Sequence, residues 1–172
     1  MNYYKEIKTR ITWLLIGLVL SLGIAEVIKN FESVLQKNLI LASFIPLVVY
    51  MSDAVGTQME AIIIRALNKK EKFDFPKFFR QQLVIVCVVS VVIGLVSGLV
   101  VAFMNGSVNN LGVVIGLSLI GGIMSSLVTG SLLPYIFWKL HDDPAEASGP
   151  VATVIQDFLS ILIFFLVAQA LL

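Results

Sequence analysis

Five long stretches of nearly uninterrupted apolar sequence constrain this chain more than any other feature. They run from about Ile11 to Ile28, Leu39 to Leu67, Leu83 to Met104, Leu111 to Leu140 and Val151 to Leu172. A helix needs about 20 apolar residues to cross the hydrocarbon core of a bilayer, and each stretch comes close to that length or exceeds it. Length rather than amphipathic period is the membrane signal, and a helix satisfies every backbone polar group internally, as hydrocarbon requires. The composition agrees, with 58% hydrophobic residues, only 13% charged ones and a mean hydropathy of +0.97. Five crossings with short connections occupy the 172 residues. The expectation is an all-α integral membrane protein, a single transmembrane domain over residues 1–172, multi-pass in the cell membrane, with no separate soluble catalytic or regulatory domain.

The charges orient it. Lys5, Lys8 and Arg10 precede the first span; Arg65, Lys69, Lys70, Lys72, Lys77 and Arg80 crowd the connection after the second; Lys139 ends the fourth. Only Lys29 and Lys37 fall on the opposite side, so the bias of basic residues toward the cytoplasm predicts a cytoplasmic amino terminus and an external carboxyl terminus. The first span follows a basic start, yet no small-residue cleavage site closes it and Glu26 and Lys29 follow, so it reads as an uncleaved span. The net charge of +1 argues against nucleic acid as a partner, since phosphate neutralisation needs an excess of clustered basic charge on an exposed face. Cys87, the single cysteine, sits in an apolar run and reads as a lipid-facing or packed small side chain.

The connections are short. Asn68 to Phe79 mixes both charge signs with four phenylalanines, a composition suited to an amphipathic segment at the headgroup boundary. Met104 to Asn110 is uncharged and reads as a tight external turn. Ser118, Gly122, Ser126 and Gly130 fall four apart on the fourth span and Gly94 and Gly98 on the third, stripes that admit a neighbouring backbone closely and offer contact faces for a second copy. Pro46 and Pro134 are expected to interrupt helices and to face protein or water.

Acidic residues inside the spans carry the chemistry. Asp157 lies well within the last span, where a carboxylate costs roughly 2.5 to 3.5 kcal/mol to insert. Thr153 and Ser160 lie one turn to either side of it, which suggests a polar strip along a water-filled path. Asp53 and Glu60 stand seven residues apart on the second span, with Gly56 and Thr57 between them; Glu60 has Arg65 as an alternative partner. Oxygen donors without thiolate or imidazole suit magnesium, calcium or manganese rather than zinc or copper. His141, Asp142, Asp143 and Glu146 form either a cation-attracting mouth or a solvated loop, the latter favoured for His141, and Glu26 reads as interfacial.

The ordered segments Gly130-Ser131-Leu132-Leu133-Pro134 and Asp143-Pro144-Ala145-Glu146-Ala147-Ser148-Gly149-Pro150, followed by Thr153 and Asp157, together with Pro46 and Val55-Gly56-Thr57-Gln58, resemble the membrane domain of the MgtE family of magnesium transporters and channels. The resemblance implies that Asp157 takes the place of a pore aspartate holding hydrated magnesium at a dimer axis, with Gly56, Thr57, Ser148 and Gly149 lining or shaping the path. Ser52-Asp53-Ala54 stands where the family has Gly-Gly-Asn, Gln156 where it has Asn, and Leu159-Ser160 where it has Thr-Gly. These differences bear on ion preference and coupling. The family's cytoplasmic helical and CBS domains have no counterpart in these residues, so control is expected to be absent, of another kind, or supplied by a separate cytosolic partner.

The function expected is therefore that of a homodimeric divalent-cation channel or transporter, with magnesium the foremost candidate as transported substrate, and with no cofactor. The alternative is a sodium- or proton-coupled exchanger using Asp53 or Glu60. A lipid-headgroup enzyme would need a nucleophile or metal cluster at one interface, which only Asp142 and Asp143 approach.

Overall fold

The computed structural model describes residues 3–69, 73–105 and 110–172, with the side chains of Lys5, Glu146 and Ala147 left aside. Lys70 and Lys72, the centre of the turn between Met104 and Asn110, and the side chain of Glu146 thus lie outside the described residues. The described chain is helical: α1 (Tyr3–Asn30), α2 (Glu32–Lys37), a 3-10 segment (Leu39–Phe44), α3 (Ile45–Asn68), α4 (Phe75–Met104), α5 (Leu111–Lys139) and α6 (Pro144–Leu171). Five segments are long and apolar enough to cross a membrane, and they coincide with the five apolar runs of the sequence.

Local chemistry sets where the helices start. Asp74 caps α4, its carboxylate accepting from the Lys77 N–H at 3.1 Å, and Pro76 occupies the first turn. Asp143 caps α6 in the same way, accepting from the Ala145 N–H at 2.9 Å, with Pro144 beside it. Proline is tolerated there because the first helical N–H groups have no intrahelical partner. Pro46 likewise sits in the first turn of α3 and starts that helix rather than interrupting it. Pro134 is the interior proline of α5, fully buried against protein as hydrocarbon demands.

The expected surface-lying segment before the third span is not separate. Residues from Phe75 onward are the opening turns of α4, and their rings turn inward: Phe75 stacks on Tyr135 of α5 at 4.2 Å, and Phe73 packs on Phe78 at 5.4 Å. The short helix α2 and the 3-10 segment fold back over the end of the bundle. There Phe31 stacks on Phe165 at 4.8 Å and Leu41 is fully buried.

Helix α5 is the axis of the protomer. It packs on α3, α4 and α6, and its small residues are what permit the approach. A β-carbon on Gly98 would stand 2.7 Å from the Gly112 carbonyl oxygen, and one on Gly94 2.7 Å from that of Gly116. Facing α3, a β-carbon on Gly130 would meet the Gly56 carbonyl oxygen at 2.6 Å, and one on Gly122 would strike the Ser52 hydroxyl. Both small-residue stripes are consumed within one protomer, so they are not available as faces for a second copy. By contrast, nothing lies within 4 Å of a β-carbon on Gly23 of α1. Gly23→Ala is therefore expected to stabilise the fold slightly, by about 0.5 to 1 kcal/mol, because only the helix-propensity difference remains. Thermal unfolding in detergent checks this, and a lowered midpoint would contradict it.

Candidate ion-binding site

The three membrane-embedded acids lie on α3 and α6, which pack against each other and against α5. Asp53, Thr57 and Glu60 from α3, Thr129 from α5, and Thr153 and Gln156 from α6 line one narrow cleft. Asp157 sits beside it, within electrostatic reach of Asp53, which in turn reaches Glu60. The acids of the two spans therefore share one side of the protomer. None of the three has an ion pair among the described residues, where the only salt bridges are Arg10 with Glu6 and Lys29 with Glu26. Glu26 is thus exposed and paired with Lys29. Glu60 forms no ion pair with Arg65 among the described residues; Ser148 of α6 stands near its carboxylate, while the Ser148 hydroxyl donates to the Pro144 carbonyl oxygen at 2.5 Å. Glu60 Oε1 is buried without a hydrogen-bond partner.

The candidate path residues separate into two sets. Thr57 and Thr153 are exposed, and Asp53 and Asp157 are half-exposed beside them. Gly149 has open space where a side chain would be. Gly56, Ser148 and Ser160 are buried. Gly56 faces Ser126 of α5, and Ser160 is hydrogen-bonded into the α5–α6 contact. The strip drawn through Thr153, Asp157 and Ser160 in the sequence therefore divides, with Thr153 and Asp157 facing outward and Ser160 inward. Helical periodicity alone places residues three and four apart on roughly one face, within a width that a packed neighbour then splits.

In the sequence Gln156 stands out only as a replacement for the asparagine of the MgtE pattern, and its packing role is not visible there. Its side chain is 2% exposed and fully engaged. Oε1 accepts from the Thr129 hydroxyl at 2.6 Å. Nε2 lies 3.0 Å from the Gly122 carbonyl oxygen, 3.1 Å from Ser125 Oγ and 2.9 Å from Ser160 Oγ, three acceptors for two protons. The signal available in the sequence was a glutamine in mid-span between small hydroxyl residues at helical spacing on α5.

The cleft measures about 10 Å³, room for about one water molecule. Among the described residues no three His, Cys, Asp or Glu side chains gather closely enough to hold a metal ion directly. The described residues thus present a polar wall of carboxylate and hydroxyl oxygens beside a narrow cleft, and no closed cage of metal ligands. His141 and Asp142 lie exposed in the turn between α5 and α6, with His141 in a left-handed conformation at φ 64°, and Asp143 serves as the helix cap. That is a solvated turn.

Comparison with known proteins follows the same lines. The MgtE family profile, described as a divalent cation transporter, matches residues 45–167. The chain is 34% identical over 171 residues to the magnesium transporter MgtE of Enterococcus faecalis, covering 98% of this chain and 37% of the relative. It is 36% identical over 168 residues to that of Bacillus subtilis, covering 94% and 36%. With the Thermus thermophilus transporter it shares 30% over 171 residues, covering 95% and 36%. The chain thus spans little more than a third of the length of the curated relatives it matches.

Proposed function

The chain belongs to the MgtE family of divalent cation transporters, and from that premise we propose that its 172 residues form one transmembrane domain that carries magnesium, or a related hard divalent cation, across the cell membrane. Asp157 is the principal ligand, acting on the hydrated ion. Asp53 widens the negative wall, Glu60 offers its free oxygen deeper along α3, and Thr57, Thr153 and Gly149 line the path. Ser148, Gly56 and Ser160 shape it from behind. No cofactor takes part; the ion is the substrate, and the chain is a transporter rather than an enzyme.

The observation that carries this reading is the open face itself. Half-exposed Asp53 and Asp157 stand beside exposed Thr57 and Thr153 in the middle of two apolar spans. Hydrocarbon against a carboxylate is costly, and a second copy related by a two-fold axis closes the face and doubles the acids along one path. The homodimer places the amino termini in the cytoplasm and the carboxyl termini outside, following the basic residues, and a cytosolic partner remains the candidate for regulation. A second reading, exchange coupled to sodium or protons, is favoured by Glu60, whose buried Oε1 has no partner. A monovalent cation or a proton would satisfy it.

Flux in proteoliposomes under defined magnesium, sodium and proton gradients tests both readings. Magnesium uptake down its own gradient alone supports the channel-like reading, dependence on a counter-gradient supports exchange, and no flux of any divalent ion rejects the assignment. Asp53→Asn is expected to weaken magnesium binding, measured by isothermal titration, or to alter the dependence of flux on sodium or pH. Affinity and flux equal to wild type at two pH values would reduce Asp53 to a structural role.

A further inference from the structure

Next to Asp157 stands Gln156, whose side chain hydrogen-bonds α6 to α5 among the described residues. We infer that Gln156 is a positioning residue: its amide sets the rotation of α6 about its axis, and so keeps the adjacent Asp157 on the open face beside Asp53. This rests on the reading of Asp157 as the ion's ligand.

Three observations converge on this inference. The Gln156 amide reaches α5 at three points spread along one face, the Gly122 carbonyl, Ser125 Oγ and the Thr129 hydroxyl, and it is braced from its own helix by Ser160. Such contacts are directional, so they specify an angle, whereas the apolar contacts of Phe164, Phe165 and Ala168 further along α6 tolerate small rotations. Buried polar groups are best attested in this capacity, as devices that fix register between helices.

The second observation is Pro150, inside α6 and six residues before Gln156. It has no N–H to return to the preceding turn, so the segment that begins at Pro144 is weakly coupled to the remainder of the helix. Among the described residues the amide network is the first set of side-chain hydrogen bonds from α6 to a neighbouring helix beyond that break. Consecutive helical side chains diverge by about 100°, so anchoring position 156 toward α5 directs position 157 sideways, along the α3 flank where Asp53 stands.

Thirdly, the network is complete in itself. Gln156 is 2% exposed and both ends of its amide are satisfied, which leaves it no free group for the ion. Its influence on the ion passes through Asp157.

The test uses the full chain with Gln156→Leu, which matches the bulk and removes every hydrogen bond. Cys87 is exposed on α4 and Leu166 exposed on α6, so spin labels at Cys87 and at Leu166→Cys report the setting of α6 without touching the site. A shifted or clearly broadened distance distribution is expected in Gln156→Leu, together with a half-saturating magnesium concentration raised by about 10-fold, the lower end of the losses seen when groups that orient a metal ligand are removed. Gln156→Asn, too short to reach all its partners, should fall between the two. If Gln156→Leu does not fold, the pair Ser125→Ala and Thr129→Val removes the two side-chain partners on α5 and leaves only the Gly122 carbonyl, with shifts in the same direction expected. An unchanged distance distribution would overturn the rotational role, and an unchanged magnesium dependence alongside a changed distribution would overturn the link to the ion. Should wild type carry no divalent ion at all, the distance measurement still decides the rotational role, so the two failures are told apart.

Discussion

Replacing Asp157 with alanine should reduce divalent flux by about 100-fold or more while the protein remains inserted and assembled. The side chain is half-buried in the middle of α6, shares its surroundings with Asp53, and has no cationic partner among the described residues. A loss of only about 2.8 kcal/mol in ion stabilisation suffices for that factor, since each 1.4 kcal/mol is tenfold. Insertion should improve rather than suffer, because a carboxylate at a helix centre costs roughly 2.5 to 3.5 kcal/mol. Asp157→Asn should be almost as damaging, because it keeps the shape and removes the charge. Proteoliposome flux, read beside the elution position of the detergent-solubilised protein, distinguishes lost transport from lost structure. Wild-type flux from a correctly assembled Asp157→Ala protein would remove Asp157 from the path.

The second large effect is expected at Gly130. A β-carbon there would lie 2.6 Å from the Gly56 carbonyl oxygen and 3.0 Å from the Met59 β-carbon. Backbone cannot rotate away as a side chain tip can, so Gly130→Leu must drive α3 from α5. Overpacking of this kind costs about 1 to 3 kcal/mol where the surroundings can give, and here they include the cleft between Asp53 and Gln156. Unfolding in detergent should show a clearly lowered midpoint, and flux per folded protein should fall as well, because Thr129 and Gly130 share the cleft with the acids of α3. A wild-type melting point for Gly130→Leu would mean that the two helices do not meet at this carbonyl.

The spans were legible because hydrocarbon imposes a length, and nothing about neighbours is needed to count it. Asp157 was legible for a related reason: a charge in mid-span is costly enough to mark itself. The role of the small residues was not, since Gly94, Gly98, Gly122 and Gly130 report close approach without saying to what, and the partners are helices of the same protomer. Pro46 looked like a break because its position relative to the helix start depends on the 3-10 segment before it, which no apolar period reveals. The packing role of Gln156 was hidden for the opposite reason to Asp157. An uncharged amide is inexpensive in a span when it is satisfied, and whether it is satisfied depends on Thr129, Ser125 and Gly122, which are 27 to 34 residues away in sequence.

Helix α5, the axis of the protomer, has Lys139 at its very end as its only charged residue. Moving one elementary charge through a membrane potential is worth about 2.3 kcal/mol per 100 mV, so a displacement of α5 along the membrane normal does almost no electrical work. The embedded charges belong to α3 and α6. If transport responds to voltage, the response resides in those two helices and in the ion between them, while the central helix can shift at any resting potential without being pulled by it.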